Sequence, residues 1–173
     1  MYGITETTVH VTFYSLSETD IREGLDRSIV GTPLPETEVY ILNNSQLIQP
    51  RGVPGEIYVG GSGLARGYLN KPQLTSERFI CNPFLEGTRI YKTGDLGRWL
   101  PNGDIEFIGR IDDQVKIRGY RIELGEIEHH LLNHDSIKEA IVISRINVHN
   151  EGELIAYLVC DHLSTAEIRD YLR

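Results

Sequence analysis

The sequence predicts a mixed α/β fold in which a β-rich region precedes a smaller α+β unit. In the first region, short apolar runs such as TEVYIL (37–42) and GEIYVGG (55–61) are separated by Pro and Gly. That spacing is typical of antiparallel strands joined by tight turns. In the second region, apolar residues fall at helical spacing in ELGEIEHHLLNH (123–134), and two strand-like runs follow at 137–146 and 154–161.

The elements of the β-rich region can be placed in order. A first strand is expected at 9–14, where apolar and polar residues alternate, and the polar stretch after it is expected to be loop with at most one turn of helix. YLNKPQLTSERFI (68–80) has helical character and is expected to be interrupted by Pro72. Residues 89–112 predict a hairpin, because the Asn-Gly pair in its turn (101–104) tolerates positive φ.

The pattern changes at residues 110–113, where we place the boundary between the two regions. From Gln114 to Ile122 the apolar side chains move from odd to even positions around Gly119. One extra residue in a strand shifts the alternation in this way, and glycine lowers its cost. We therefore expect a single bulged strand over 114–122.

Both ends of the chain are interpreted as cut. The capping-box pattern Ser164-Thr-Ala-Glu167 starts a helix near the last residue, Arg173. The first predicted strand has no earlier element with which to pair. We expect a segment of a larger protein, truncated at both ends.

The composition is that of a globular protein in a reducing compartment. The 173 residues are 40% hydrophobic and 24% charged, with a formal net charge of -8 that disfavours non-specific binding to nucleic acid. The longest apolar run, LIAYLVC, is far shorter than the roughly 20 residues of a membrane span. With no export signal at the N-terminus and two cysteines outside any CxxC pattern, a cytoplasmic location is expected.

Two short motifs carry groups that bind nucleotides, although each also fits an ordinary turn. YGITE (2–6) offers an aromatic ring, a hydroxyl and a carboxylate, which suit a base, a phosphate and Mg²⁺. YKTGD (91–95) places an Asp after a strand, where it can accept hydrogen bonds from a ribose diol. Taken singly, both motifs favour an exposed turn.

Two other patterns are interpreted structurally. GGSGLARGY (60–68) is glycine-rich, but it matches neither GxGxxG nor the Walker loop, so turn glycines are the better interpretation. His130 and His134 have the i, i+4 spacing of a zinc site without a third ligand of the usual kind. A solvated helix face is expected there.

Taken together and in order, these motifs resemble a known family. MYGITETT, GEIYVGGSGLARGYL and YKTGDLGRWLPNGDIEFIGRIDDQVKIRGYRIELGEIE resemble the second half of an adenylation domain of non-ribosomal peptide synthetases, over almost the whole chain. The run VKIRGYRIELGEIE is closer to this branch than to the acyl-CoA synthetases and luciferases of the same superfamily. The resemblance implies that 1–111 is the end of the large adenylation subdomain and 112–173 part of the small C-terminal subdomain.

The resemblance also implies a nucleotide-binding set. Tyr2 would stack on the adenine of ATP, and Gly3 belongs to the same motif. Asp95 would bind the ribose hydroxyls, and Phe107 occupies a position where the family has an aromatic residue beside the nucleotide. Arg110 would reach the ribose or phosphate, a task that suits its fixed fork of donors.

The catalytic residues implied by the resemblance lie in both regions. Thr5 would contact the α-phosphate region, and Glu6 would help to hold Mg²⁺. Asp112 matches the hinge about which the small subdomain swings. Lys116 would approach the nucleotide in one orientation, and Gly119 would line the tunnel for the phosphopantetheine arm in the other.

The substrate pocket is only partly represented. Met1, Val9 and His10 fall at positions that line the amino-acid pocket in the family, and Ile4 replaces a more usual Pro. The implied activity is formation of an aminoacyl-AMP from ATP, followed by transfer to the thiol of a peptidyl carrier domain. The alternative is a catalytically inactive nucleotide-binding or interaction module with the same fold, which the intact Glu6, Asp95 and Asp112 disfavour.

Other parts of the family's apparatus match nothing in this chain. These are the phosphate loop, the Asp that holds the substrate amino group and the Lys of the first step. The remaining N-terminal part of the adenylation domain is therefore an expected partner. We expect the isolated 173-residue segment to be inactive by itself.

Overall fold

The computed structural model describes residues 1–24, 27–112, 114–117, 120–147 and 151–172, without the side chains of residues 23, 116 and 121. The chain divides into two compact units, Met1–Ile111 and Asp112–Arg173.

The first unit is built on an antiparallel sheet. Its elements are a 3-10 turn (Thr5–Thr7), β1 (Thr12–Phe13), α1 (Glu18–Glu23), β2 (Ser28–Pro33), β3 (Thr37–Leu42), β4 (Gly55–Gly61), α2 (Pro72–Arg78), β5 (Phe79–Cys81), β6 (Arg89–Trp99) and β7 (Ile105–Arg110). The strand order is β1-β2-β7-β6-β4-β3, and β5 also pairs with β6. The long strand β6 pairs with β5 along its first residues and with β7 along its last residues.

Alternation along the strands buries both faces of this sheet. Ile41 of β3 and Ile57 of β4 pack on one face with Val11 and Ile105. Leu42 and its neighbours Tyr58 and Ile90 pack on the other. Burial of each large apolar side chain contributes about 1.5–3 kcal/mol, so these strands are fixed in register.

Two elements of this unit differ from those predicted from the sequence. The first strand is limited to Thr12–Phe13, because Val9 has a left-handed φ of 68° that extended strands do not adopt. Pro72 begins α2 and does not interrupt a helix. Proline is well tolerated there because the first backbone N–H of a helix has no intrahelical partner.

The predicted hairpin of β6 and β7 is confirmed. The Leu100 N–H donates to the Asp104 carbonyl at 2.8 Å, and the Gly103 N–H donates to the Leu100 carbonyl at 3.0 Å. Gly103 has a φ of 92°, which glycine adopts without strain. The turn therefore fixes which residues of β6 and β7 face each other.

The second unit is the predicted α+β unit. Its elements are β8 (Val115–Ile117), β9 (Tyr120–Ile122), α3 (Leu124–Leu132), β10 (Ile137–Ile146), β11 (Gly152–Cys160) and α4 (Thr165–Tyr171). Leu124 and Leu131 of α3 pack against Ile137 and Val142 of β10 to form its core. The predicted mixed α/β class is thus confirmed.

The expected bulged strand over 114–122 is wrong. β8 and β9 are separate antiparallel strands in which Val115 pairs with Ile122 and Ile117 with Tyr120. In this register an odd-numbered residue of β8 always pairs with an even-numbered residue of β9. The apolar side chains therefore fall at odd positions in β8 and at even positions in β9. Gly119 itself lies outside the described residues.

Among the described residues, no helix is long and apolar enough to cross a membrane.

Candidate functional site

Asp95, on β6, is the centre of a hydrogen-bonded group that joins the motifs YGITE and YKTGD to Arg110 of β7. Asp95 is buried, with only 3% of its surface exposed. The Tyr2 hydroxyl donates to Oδ2 at 2.6 Å, and Nη1 of Arg110 donates to Oδ1 at 2.8 Å. The Asp95 backbone N–H donates to the Thr93 hydroxyl at 2.9 Å. Both carboxylate oxygens are therefore held in fixed directions.

Strand pairing explains why these residues meet. Asp95 and Arg110 are direct partners across β6 and β7, so the hairpin places opposite charges side by side. Tyr2 forms a bridge with Thr12, whose N–H donates to the Tyr2 carbonyl at 3.0 Å. The residues are distant in sequence, and the sheet brings them together.

The electrostatics favour a neutral Tyr2 beside the pair of Asp95 and Arg110. The Arg110 side chain is only 18% exposed, and a paired guanidinium offsets much of the cost of burying a carboxylate. Burial, together with the charge of Asp95, raises the pKa of Tyr2 well above its ordinary value. Tyr2 therefore remains a hydrogen-bond donor at neutral pH.

The ring of Phe107 lies beside that of Tyr2. The ring centroids are 6.1 Å apart with planes inclined at 34°. Aromatic rings in direct contact have centroids 4.5–7 Å apart, so a base does not fit between these two. In this arrangement an adenine would stack on an outer ring face.

Glu6 lies in the 3-10 turn and is 8% exposed. The Tyr68 hydroxyl donates to Oε1 of Glu6 at 2.8 Å and is 2.9 Å from the Tyr91 hydroxyl. Burial, followed by the hydrogen bonds with Tyr91 and Glu6, raises the pKa of Tyr68. Glu6 is thus an oriented carboxylate.

The donor set at Glu6 fits Mg²⁺ held by one carboxylate and phosphate oxygens, the usual arrangement for this ion in nucleotide enzymes. Within the described part of the chain, no group of three or more His, Cys, Asp or Glu side chains could hold a metal. The other ligands would have to come from the nucleotide and water. Glu6 is the residue of this chain that would hold the ion.

Thr5 and Gly3, at and before the start of this turn, differ in their surroundings. Thr5 begins the 3-10 turn and is exposed, as a phosphate contact requires. Gly3 has a packing role, because a Cβ at this position would lie 1.9 Å from the Val9 carbonyl oxygen. The glycine lets the 8–10 loop fold back over the start of the chain.

The expected pocket residues lie on that loop and on the N-terminus. Met1 and Val9 are 64% and 58% exposed, and His10 is exposed as well. Thr8 and Val9 both have left-handed φ values, 61° and 68°. Such strain in a β-branched residue is uncommon and is concentrated at functional sites.

Three predicted residues lie at or beyond the start of the second unit. Oδ1 of Asp112 accepts a hydrogen bond from the Gln114 N–H at 3.3 Å. The Lys116 side chain and Gly119 lie outside the described residues. Their roles therefore stay predictions.

His130, on α3, and His134, two residues after its end, both contact the ring of Tyr171. His130 stacks on Tyr171 at 5.6 Å, and His134 meets the same ring edge-on at 4.8 Å. The Nδ1 atom of His134 accepts a hydrogen bond from the Ser136 N–H at 3.2 Å. The expected solvated helix face therefore describes His130, which is exposed on α3, whereas His134 lies past the end of the helix and is half-buried.

Tyr68, Tyr91 and Thr93 are site residues that were missed from the sequence. The Tyr68 hydroxyl contacts both Glu6 and the Tyr91 hydroxyl, and no local pattern links residues that far apart in the sequence. A weak signal was present, because each of these residues belongs to a motif, GGSGLARGY or YKTGD, that was inspected for its glycines or its acid.

Comparisons with known proteins bear on this site. The family of AMP-binding enzymes matches residues 1–69. A plipastatin synthase subunit of Bacillus subtilis (strain 168) is 51% identical over 98% of the chain, and bacitracin synthase 3 of Bacillus licheniformis is 53% identical over 99%. The chain belongs to the adenylation-domain family of non-ribosomal peptide synthetases.

A solved structure gives the same assignment. NpsA-ThdA, an artificially fused adenylation–PCP di-domain from Klebsiella oxytoca, is 33% identical, with a TM-score of 0.73, over 98% of this chain and 32% of its own. The chain spans only 7% of the length of the plipastatin synthase relative and 3% of bacitracin synthase 3. It therefore corresponds to part of one adenylation domain.

Proposed function

We propose that this chain supplies the ribose-binding and metal-binding side of an adenylation site that activates an amino acid. The convergence of Tyr2, Asp95 and Arg110 carries the proposal, because it joins a hydrogen-bond-accepting carboxylate to a cation and an aromatic ring. These are the groups that recognise a nucleoside phosphate. Family membership gives the reaction class.

In the first half-reaction, a carboxylate oxygen of the amino acid attacks the α-phosphorus of ATP. The bond from that phosphorus to the bridging oxygen breaks, and pyrophosphate leaves with the electron pair. Asp95 orients the ribose, Arg110 balances phosphate charge, and Thr5 contacts the α-phosphate. Mg²⁺ held by Glu6 supplies charge neutralisation at the phosphates when bound. Positioning of this kind accounts for most catalysis in phosphoryl and nucleotidyl transfer.

In the second half-reaction, the thiol of a phosphopantetheine arm attacks the carbonyl carbon of the aminoacyl-AMP. The bond to the AMP oxygen breaks, AMP leaves, and the thiol proton passes to solvent. Rotation about Asp112 would exchange Lys116 for the tunnel containing Gly119 between these steps. The carrier partner is proposed because the related NpsA-ThdA contains an adenylation and a PCP domain.

The proposal is tested by Asp95→Asn in a complete adenylation domain carrying residues 1–173. Amino-acid-dependent ATP–pyrophosphate exchange is measured over a range of ATP concentrations. The amide keeps the shape of the carboxylate but removes its charge, so we expect KM for ATP to rise about tenfold or more. Asp161→Asn makes the same chemical change at a carboxylate whose side chain is 64% exposed, and it should leave KM unchanged.

Two outcomes contradict the proposal. An unchanged KM for ATP in Asp95→Asn would remove the ribose-binding role. A domain that binds ATP but catalyses no exchange with any amino acid would favour the inactive module. Measuring exchange across a panel of amino acids identifies the substrate of an active domain.

A further inference from the structure

The segment GGSGLARGY (60–68) lies against the turn that carries Glu6, and three hydrogen bonds join them. The Ala65 N–H donates to the Glu6 carbonyl at 2.8 Å, and the Thr8 hydroxyl donates to the Gly63 carbonyl at 2.6 Å. The Tyr68 hydroxyl donates to Oε1 of Glu6 at 2.8 Å. The segment therefore fixes both the backbone and the side chain of Glu6.

Tyr68 is itself held on several sides. Its backbone N–H donates to the Thr75 hydroxyl at 2.9 Å, and its ring meets Phe79 edge-on at 5.7 Å. Its hydroxyl is 2.9 Å from that of Tyr91, which is fully buried. The phenol therefore reaches Glu6 from one defined position.

We propose that Tyr68 is a positioning residue that holds the Glu6 carboxylate in the orientation that binds the divalent cation of the nucleotide, with Tyr91 fixing the Tyr68 hydroxyl. This inference rests on the proposed function, in which Glu6 ligates Mg²⁺. Hydrogen bonds from outer residues orient metal-binding carboxylates, and their loss costs about 10–100-fold in metal affinity. The glycine-rich segment thus acts on the metal through a tyrosine and makes no phosphate loop.

The test measures metal binding directly, in a complete adenylation domain carrying residues 1–173. Mn²⁺ replaces Mg²⁺, α,β-methylene-ATP replaces ATP so that no turnover occurs, and unbound Mn²⁺ is counted by electron paramagnetic resonance. Tyr68→Phe should weaken Mn²⁺ binding about tenfold. The matched control is Tyr58→Phe, which removes another buried phenol, bonded to Glu56 at 3.2 Å, and should leave the affinity unchanged.

A double-mutant cycle separates positioning from general packing. Glu6→Gln removes the ligand charge, so adding Tyr68→Phe to Glu6→Gln should cause no further loss of Mn²⁺ affinity. A role in packing alone would give the same additional loss in both backgrounds, which would overturn the inference. Thermal melting of each variant shows that the domain is folded.

The outcomes distinguish this inference from the function on which it rests. If Glu6→Gln leaves Mn²⁺ affinity unchanged, the metal assignment of Glu6 fails. If Glu6→Gln weakens binding while Tyr68→Phe stays within about twofold of the parent, only the role of Tyr68 fails. If Tyr68→Phe does not fold, Tyr91→Phe decides: it should weaken binding about threefold, and no change would overturn the inference.

Discussion

The Tyr2 hydroxyl donates a 2.6 Å hydrogen bond to the carboxylate of Asp95, a residue 93 positions later in the chain. This bond links the first motif of the segment to the strand that carries the proposed ribose-binding residue. It would give Tyr2 a second task besides the proposed stacking on adenine, because the hydroxyl holds Asp95 and leaves the ring faces to other contacts. The two tasks can be separated by substitution.

Removal of the Tyr2 hydroxyl tests this second task. Tyr2→Phe keeps the ring, and with it any stacking on adenine, but leaves Asp95 with one donor fewer. A hydrogen bond to a charged group contributes about 1.5–3 kcal/mol, and water will replace part of it, so KM for ATP should rise about tenfold. ATP–pyrophosphate exchange by the complete domain measures the change.

A control isolates the effect of the site from the loss of any tyrosine hydroxyl. Tyr14→Phe removes a phenol bonded at 3.2 Å to Asp20, on α1, and should leave KM for ATP unchanged. An equal rise of KM in both variants would mean that Tyr2 has no special relation to the nucleotide.

The parts of the fold that local chemistry determines were predictable. The β6–β7 hairpin was found because an Asn-Gly turn between alternating strands specifies its own pairing. The bulged strand over 114–122 was wrong because a bulge and a turn both reverse parity. The alternation of apolar and polar residues along 114–122 does not show whether the chain continues in one strand or reverses its direction at a turn.

The site divides in the same way. Asp95 and Glu6 were predicted as site residues because their motifs resemble a family, whereas composition and spacing favoured plain turns for both. The contact between Glu6 and Tyr68 spans 62 residues and depends on how a turn packs against a sheet. Such a contact follows from tertiary packing, which no local pattern of the sequence contains.

Gly3 should be intolerant of any side chain. In Gly3→Ala the new Cβ would lie 1.9 Å from the Val9 carbonyl oxygen, a backbone atom that cannot move without unfolding the 8–10 loop. We expect destabilisation of about 2 kcal/mol or more. Denaturant unfolding followed by the fluorescence of Trp99, the single tryptophan, reports on this unit because Trp99 packs against its core.

The matched control for Gly3 is Gly125, in the first turn of α3. A Cβ at Gly125 meets nothing within 4 Å, and alanine is about 1 kcal/mol more favourable than glycine in a helix. Gly125→Ala should therefore cause no loss of stability. Both variants are also followed by far-ultraviolet circular dichroism, which reports on both units, because Trp99 lies in the first unit only. A Gly3→Ala variant as stable as Gly125→Ala would contradict the close packing of the loop.

The chain should lose stability at alkaline pH through its buried tyrosines. Burial and Asp95 raise the pKa of Tyr2, and burial and Glu56 raise the pKa of Tyr58. Their stabilising contribution is complete below the unfolded tyrosine value of about 10 and is lost as the pH rises above it toward the folded values. The free energy of unfolding should fall steadily from about pH 10 upward.

Tyrosinate absorbance checks this expectation. The chain has nine tyrosines, and those with raised pKa should ionise later than exposed ones or only on unfolding. Tyr2→Phe should reduce the late fraction, because burial and Asp95 raise the pKa of this residue. Titration of every tyrosine in one step near the ordinary value would refute the prediction.

Relief of backbone strain at Val9 should stabilise the chain. The φ of Val9 is 68°, its carbonyl lies over Gly3, and its N–H donates to the Ile4 carbonyl at 3.0 Å, so the loop maintains this conformation. A β-branched residue in the left-handed region destabilises the fold by about 1–3 kcal/mol, whereas Asn adopts this region readily. Because Val9 is 58% exposed, Val9→Asn gives up little burial, and we expect a gain of about 1 kcal/mol in the free energy of unfolding.

Val53→Asn is the matched control, since Val53 is 41% exposed and is absent from the residues with positive φ. It should give no gain, because it has no strain to relieve. Denaturant unfolding of both variants decides the matter, and a loss in Val9→Asn as large as in Val53→Asn would mean that the loop carries no stored strain.

If Val9 also lines the amino-acid pocket, Val9→Asn in the complete domain will change the order of preference among amino acids in the exchange assay, while Val53→Asn leaves it unchanged. The strained backbone would then serve to present the side chain to the substrate.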